Sequence, residues 1–487
     1  MILNQFLLLI SVYVVGLTFS IFHFKELGHI VRGCINPFLG IIILSISVGF
    51  LIIYNFPINL ISVFLVIFIL WFVLNIKNVM QNFKSNEKIY LLGSRSYLIS
   101  KELITLFILY TVIGTFFILL KTSIAGSDST QFEGVGRFFA NGGKVIDKPP
   151  FLAFLLNGRL LVIGAMHALN RLFGSYNLYA LNPTIVIWFL CFITLLFYDF
   201  LCDLQKLPKI ILSGMFFLSL VFSKNFFLQI FYIHSNGFAM IYYSLAIISL
   251  YAFTKSEKNS WLRLGSFFIG AATLIRIDML IFSLLYFVLL TKLVKDDASE
   301  LKRSWTIFFL VSFPWRLFTL SYTSFDVFYV NATHILLLLF AHILLASFTI
   351  IYQKRIGNIY TNLPLLCMVS LLIFISLYSI FHPESLQLTW EIFVKYRLLG
   401  QDWIFLFITM VLMLSITPIM NKKDPDLKII SYSIWFYILL LFIMVTIYGY
   451  SENNHSAGRI LNQLVSLSIF WVYISFSRVL GYQNKPI

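Results

Sequence analysis

The feature that most limits what this chain can fold into is a succession of unbroken apolar runs. "IIILSISVGFLIIY" (residues 41–54), "LITLFILYTVIGTFFILL" (103–120) and "IISYSIWFYILLLFIMVTIY" (429–448) are typical. Crossing a bilayer core takes roughly 20 apolar residues as a helix, and with their flanks many segments here reach that length. Of the 487 residues, 60% are hydrophobic and 11% charged, whereas a soluble domain is about 25% charged. No water-soluble fold hides so much apolar surface. A membrane β-barrel needs alternating patterns, and these runs are continuous. The expectation is an all-α polytopic membrane protein with roughly 13 to 15 transmembrane helices, counted as ~20-residue spans, and no soluble domain. The first run, "ILNQFLLLISVYVVGLTFSIF", lacks a basic leader and a small-residue cleavage site, so it is expected to be a retained helix.

The formal charge of +15 would suggest nucleic acid in a soluble protein. In this composition it points instead to basic cytoplasmic turns lying against anionic lipid. The loop 77–101 carries Lys77, Lys84, Lys88, Arg95 and Lys101 and is assigned to the cytoplasm by the positive-inside rule. Alternating from it places "FKELGHIVRG", "DLQKLPK", "TKSEKNSWLR", "TKLVKDDASELKR", "YQKR", "NKKDPDLK" and the C-terminal tail inside, with most of the 35 Lys and Arg. The N-terminus falls outside. The outer loops are long and mixed in charge, so function is expected on the outer face. The four cysteines, Cys34, Cys191, Cys202 and Cys367, form no CxxC pair and read as packing residues.

One outer stretch stands apart: "GSDSTQFEGVGRFFANGGKVIDKPP", residues 126–150, read as a long polar loop. Asp128 is expected just past the end of a spanning helix, where partial desolvation raises a carboxyl toward a useful base. The glycines allow sharp turns or close approach to a ligand, and "KPP" fixes an extended exit. The following "FLAFLLNGRLLVIGAMHALNRLFG" is apolar but holds Asn157, Arg159 and Arg171. It suits a helix lying along the interface rather than one crossing it. Arg276 and Asp278 sit between two short apolar halves; they read either as a structural ion pair or, since charge there is costly, as functional residues, the reading favoured here. His234 and His455 are the only metal candidates noted. Few acids accompany them, which favours plain hydrogen bonding; a divalent metal stays open, and no other cofactor is implied.

The order of these features resembles the GT-C membrane glycosyltransferases, in the branch of the protein O-mannosyltransferases and aminoarabinose transferases. The matching residues are Asp128, Phe138, Gly142, Gly143, Lys148, Pro149, Pro150, Phe173, Gly174 and Pro183. Downstream, "IHSNGFAMIYYSLAIISLYAF", "GSFFIGAATLIRIDMLIFSLLYFVLL" and "HSAGRILNQLVSLSIFWVYISF" resemble three further family helices. The likeness covers roughly residues 102–478. It makes 1–101 an added N-terminal transmembrane block and 479–487 a cytoplasmic tail. This chain has Ser129 beside Asp128, Asn236 at the family's second acid, and Asn182 where an arginine is usual.

The resemblance implies inverting transfer of a sugar from a polyprenyl-phosphate carrier to a lipid, glycan or protein acceptor at the outer face, most naturally of a bacterial inner membrane. Asp128 would be the general base. Lys148, Arg159, Arg276 and Arg459 would bind the donor phosphate. Asn236, Asp278, His234 and Glu452 would support the site or the acceptor. Partners are then the lipid-linked donor, membrane lipids and the acceptor, without nucleic acid. The competing classes are a lipid-linked-sugar flippase or transporter, which would show paired repeats and more mid-helix charge, and a polysaccharide polymerase or ligase.

Overall fold

A computed structural model describes residues 2–85, 127–144, 161–174, 181–227, 235–320, 332–352, 357–391, 425–448 and 461–483. A few isolated positions elsewhere are included and gaps of one or two residues fall within these ranges. Among the described residues the fold is helical, with no strand. The helices are α1 (Ile2–His23), α2 (His29–Ile53), α3 (Leu60–Ser85), α4 (Ser127–Ala140), α5 (Leu161–Leu172), α6 (Leu181–Phe200), α7 (Lys206–Phe222) and α8 (Ser235–Ser256). They continue as α9 (Asn259–Ile275), α10 (Met279–Leu293), α11 (Ala298–Leu320), α12 (Ala332–Tyr352), α13 (Gly357–Phe381), α14 (Pro383–Thr389), α15 (Lys428–Tyr448) and α16 (Val465–Gln483).

Five of these are long and apolar enough to cross a membrane, or six if α13 and α14, bent by 118° at their junction, count as one span. The apolar windows of α2 and α8 are 89% buried, whereas those of α1 and α12 are 33% and 28% buried. So α2 and α8 form the centre. The outer helices turn large apolar side chains outward, as with Ile61, Leu65 and Phe68 on α3 and Leu337, Phe340 and Ile351 on α12. Water would penalise such a surface; acyl chains would not.

Glycine sets the tightest contact. A Cβ on Gly16 would strike the backbone of Asn36, and one on Gly40 would strike the Val12 carbonyl. These two contacts fix α1 and α2 as an antiparallel pair at backbone-to-backbone distance, as small residues do between membrane helices. Ser20 and Asn36 add a buried hydrogen bond of 2.6 Å.

Polar contacts sort the turns into two ends. At one end, which we term basal, Glu26 accepts from the Ser260 backbone N–H and hydroxyl (3.1 and 2.9 Å). There Arg263 makes two 2.7 Å bonds to Glu300, and Lys255 meets Asp426 at 3.1 Å. Arg478 donates to the Phe200 carbonyl at 3.2 Å and the Tyr251 hydroxyl at 3.5 Å. The turns around residues 26, 200, 258, 297 and 426 therefore lie together, with the end of α16. The Tyr242 hydroxyl donates to the Phe38 carbonyl, so α2 runs antiparallel to α8 and its C-terminus reaches the opposite, distal end. Trp71 of α3 packs edge-on to Phe22 near the basal end of α1. From there α3 continues 14 residues to Ser85, roughly 20 Å at helical rise. The first part of the expected 77–101 loop is therefore helix.

Candidate functional site

The distal end gathers a buried polar cluster. It begins at the break between α9 and α10. Arg276 leaves the helix with extended backbone angles (φ −143°, ψ 138°), and Asp278 precedes α10. The carboxyl end of a helix favours a cation and the amino end an anion, so each charge stands at the helix end that suits it. Arg276 Nε donates to both Asp278 oxygens at 2.9 and 3.1 Å. One Nη donates to Asn236 Oδ1 in the first turn of α8. Gln463 Nε2 donates to the same oxygen at 3.3 Å, while Tyr437 of α15 donates its hydroxyl to Gln463 Oε1 at 2.7 Å. All five side chains are buried. Two donors converging on Asn236 Oδ1 fix which way that amide faces.

Sequence reasoning missed a second cation here. Arg316 of α11 is fully buried, one turn beyond Ser312, whose hydroxyl lies 2.7 Å from that of Thr273 on α9, so it arrives near the level of the Arg276–Asp278 junction. The signal was present in "FPWRLF", an arginine inside an apolar run, but no neighbouring charge marks it in the sequence. Arg316 is thus a second buried cation on the side of the cluster where Asp278 forms its ion pair with Arg276.

Across the same end lie α4 and α5. In the α1–α2 register, Asn4 is level with residue 48. Asn4 donates to the Gly174 carbonyl just beyond α5 (3.2 Å), while Leu161 at the start of α5 meets Gly49, which also touches Trp315. Both ends of α5 thus sit at one level, so α5 runs transverse to the bundle, with α4 packed on it. Glu133 bonds Arg171 at 2.9 Å and Arg137 at 3.1 Å, and a Cβ on Gly136 would strike His167. These pairings make α4 and α5 antiparallel.

The expected polar loop is corrected by this arrangement: residues 127–140 are helix. Its glycines have structural uses. Gly136 lets the two helices touch. Gly142 (φ +83°) and Gly143 end α4, their N–H groups donating to the Phe139 and Phe138 carbonyls (3.1 and 2.9 Å). That is a Schellman cap.

Of the sequence-derived site residues, the structure brings together Arg276, Asp278 and Asn236. Asp128 lies on the first turn of α4, and its side chain is outside the described residues. Lys148, Arg159, His234, Glu452 and Arg459 lie outside them too. The register puts Asp128 at the Asn4–Gly174 side of the transverse layer, and no described contact joins it to the Arg276 cluster. Among the described residues no three His, Cys, Asp or Glu side chains group to hold a metal. A buried guanidinium beside amide and phenol groups, with a second buried arginine on the neighbouring helix, is suited to an anion, for which arginine offers planar, paired donors. Comparison with protein-family models, curated proteins and solved structures finds no match to this chain.

Proposed function

We propose that this protein is an inverting membrane glycosyltransferase of GT-C type, built on 13 to 15 spans with its catalytic module over residues 102–478. It transfers a sugar from a polyprenyl-phosphate carrier to a lipid, glycan or protein acceptor at the outer face of a bacterial inner membrane. An acceptor hydroxyl oxygen attacks the anomeric carbon while the bond from that carbon to the phosphate oxygen breaks. Asp128 takes the hydroxyl proton, and the phosphate leaves with the electron pair. Arg276, with Lys148, Arg159 and Arg459, stabilises the charge that develops on it. Asn236 and Asp278 hold Arg276 in place, and His234 and Glu452 border the acceptor.

The observation that carries this reading is Arg276 itself. It is buried at a break between two short apolar helices, oriented by Asp278 and Asn236, at the end crossed by the helix that bears Asp128. A charge in that setting is expensive and is kept for use.

The test uses purified protein in detergent, without any gradient, given a polyprenyl-phosphate sugar and a candidate acceptor glycolipid. Wild type should release free polyprenyl phosphate. Asp128→Asn should slow release by about 10²–10⁴-fold, the usual share of a general base. Transport of the lipid-linked sugar across proteoliposomes with no release in detergent would refute the transferase and favour the flippase.

A further inference from the structure

Arg316 carries a role that the proposed mechanism leaves unassigned. Its position follows from the packing of α9 on α11. Arg263 meets Glu300 near the start of both helices, a Cβ on Gly270 would touch Val311, and the Thr273 and Ser312 hydroxyls lie 2.7 Å apart. The two helices therefore run parallel in a fixed register. Arg316 is one turn beyond Ser312 on the same face, and Arg276 is three residues beyond Thr273. Their backbones arrive at one level, with Asp278 at the head of the next helix. A snorkelling arginine would keep its head in water, whereas Arg316 has no exposed surface.

We infer that Arg316 is a positioning residue: its charge, buried on a second helix at the level of the Arg276–Asp278 ion pair, attracts the Asp278 carboxylate and so holds the Arg276 guanidinium plane toward the donor phosphate. A carboxylate with one guanidinium partner can swing about its side-chain torsions. Attracted also by a charge on a second helix, it fixes the direction in which Arg276 presents its donors. This inference rests on the donor-phosphate role proposed for Arg276, and it extends the site to α11.

The experiment measures donor KM and kcat for full-length Arg316→Gln, Arg316→Lys and Arg276→Gln in detergent. Beside these, thermal unfolding of Arg316→Gln, Asp278→Asn and their double variant forms a mutant cycle. Arg316→Gln should raise donor KM roughly 10-fold with kcat within about twofold, the scale at which supporting partners act. Arg316→Lys should recover part of the loss, since it keeps charge without the planar fork. The unfolding effects of Arg316→Gln and Asp278→Asn should be non-additive. An unchanged donor KM in Arg316→Gln, beside a raised one in Arg276→Gln, would overturn the inference, as would an additive cycle. If Arg276→Gln leaves donor KM unchanged, the phosphate reading fails, and the cycle alone then decides whether Arg316 acts through Asp278. Should Arg316→Gln not fold, Arg316→Lys takes its place in both measurements, with a raised donor KM and a coupled cycle expected.

Discussion

Breaking the Arg263–Glu300 pair should reveal an asymmetry that follows from its surroundings. Both bonds are 2.7 Å, and charge centres about 4 Å apart attract by about 4 kcal/mol at an effective dielectric of 20. The Glu300 side chain is 1% exposed and that of Arg263 23%. Removing one partner of a buried pair costs about 3–5 kcal/mol, because the other is stranded. Arg263→Met strands a carboxylate with almost no access to water. Arg303, 3.6 Å away and 61% exposed, can close in, so the cost should sit near the low end, about 3 kcal/mol. Glu300→Gln strands a guanidinium that water already reaches and leaves it an amide oxygen, so about 1.5 kcal/mol is expected. Arg263→Met with Glu300→Leu removes both charges and should cost less than Arg263→Met alone. Denaturant unfolding of the purified variants in one detergent measures all three. If Glu300→Gln proves as costly as Arg263→Met, or the double variant proves worse than Arg263→Met, the pair is not limited by burial of its acid and the reasoning fails.

Two further outcomes follow from turn and cap geometry. Gly142 has φ +83°, so Gly142→Val should cost about 1–2 kcal/mol of left-handed strain and Gly142→Asn distinctly less; equal melting temperatures for the two would refute the cap. Asp297 begins α11, where the Ser299 hydroxyl and then the Glu300 backbone N–H hold its carboxyl below the usual range. A depressed carboxyl stabilises above its unfolded value, about 3.9, and loses that effect as pH falls through the folded one. First-turn amides of α11 should therefore exchange faster, relative to intrinsic rates, below about pH 4, and Asp297→Ala should abolish this pH dependence.

The helical class was legible because continuous apolar runs leave few alternatives. The break at Arg276 was legible for the same reason, since two charges interrupt an apolar stretch that otherwise resembles one long span. The α4 stretch was not. Its glycines and acids are the residues that turns use, and the local pattern does not show that Gly136 faces His167 or that Glu133 meets Arg171 across 38 positions of chain. Arg316 was missed for a related reason. Its meaning depends on Asp278, which a different helix delivers, and that juxtaposition arises from the α9–α11 register rather than from neighbours in sequence. Asn236 is the intermediate case: the chain marked it only as a substitution within a resemblance, and its contacts with Arg276 and Gln463 make it a hinge of the cluster.

Helix length and helix direction give different counts of spans, and the difference has a physical cause. By direction, α9 leaves the basal end at Lys258 and arrives at the distal end at Arg276, and α10 returns. Each traverses the bundle, yet at 17 and 15 residues they measure roughly 25 and 22 Å, short of a 30 Å hydrocarbon core. α8 beside them has 22 residues, roughly 33 Å. The packing of α9 on α8, where a Cβ on Gly265 would meet Ser249 and the Ala246 carbonyl and Arg276 bonds Asn236, sets the Arg276–Asp278 junction level with the first turn of α8. The transverse pair α4 and α5 lies across that same end. The two short helices therefore meet at the end of the bundle rather than in its middle, and their charged junction stands at the same end as the transverse pair.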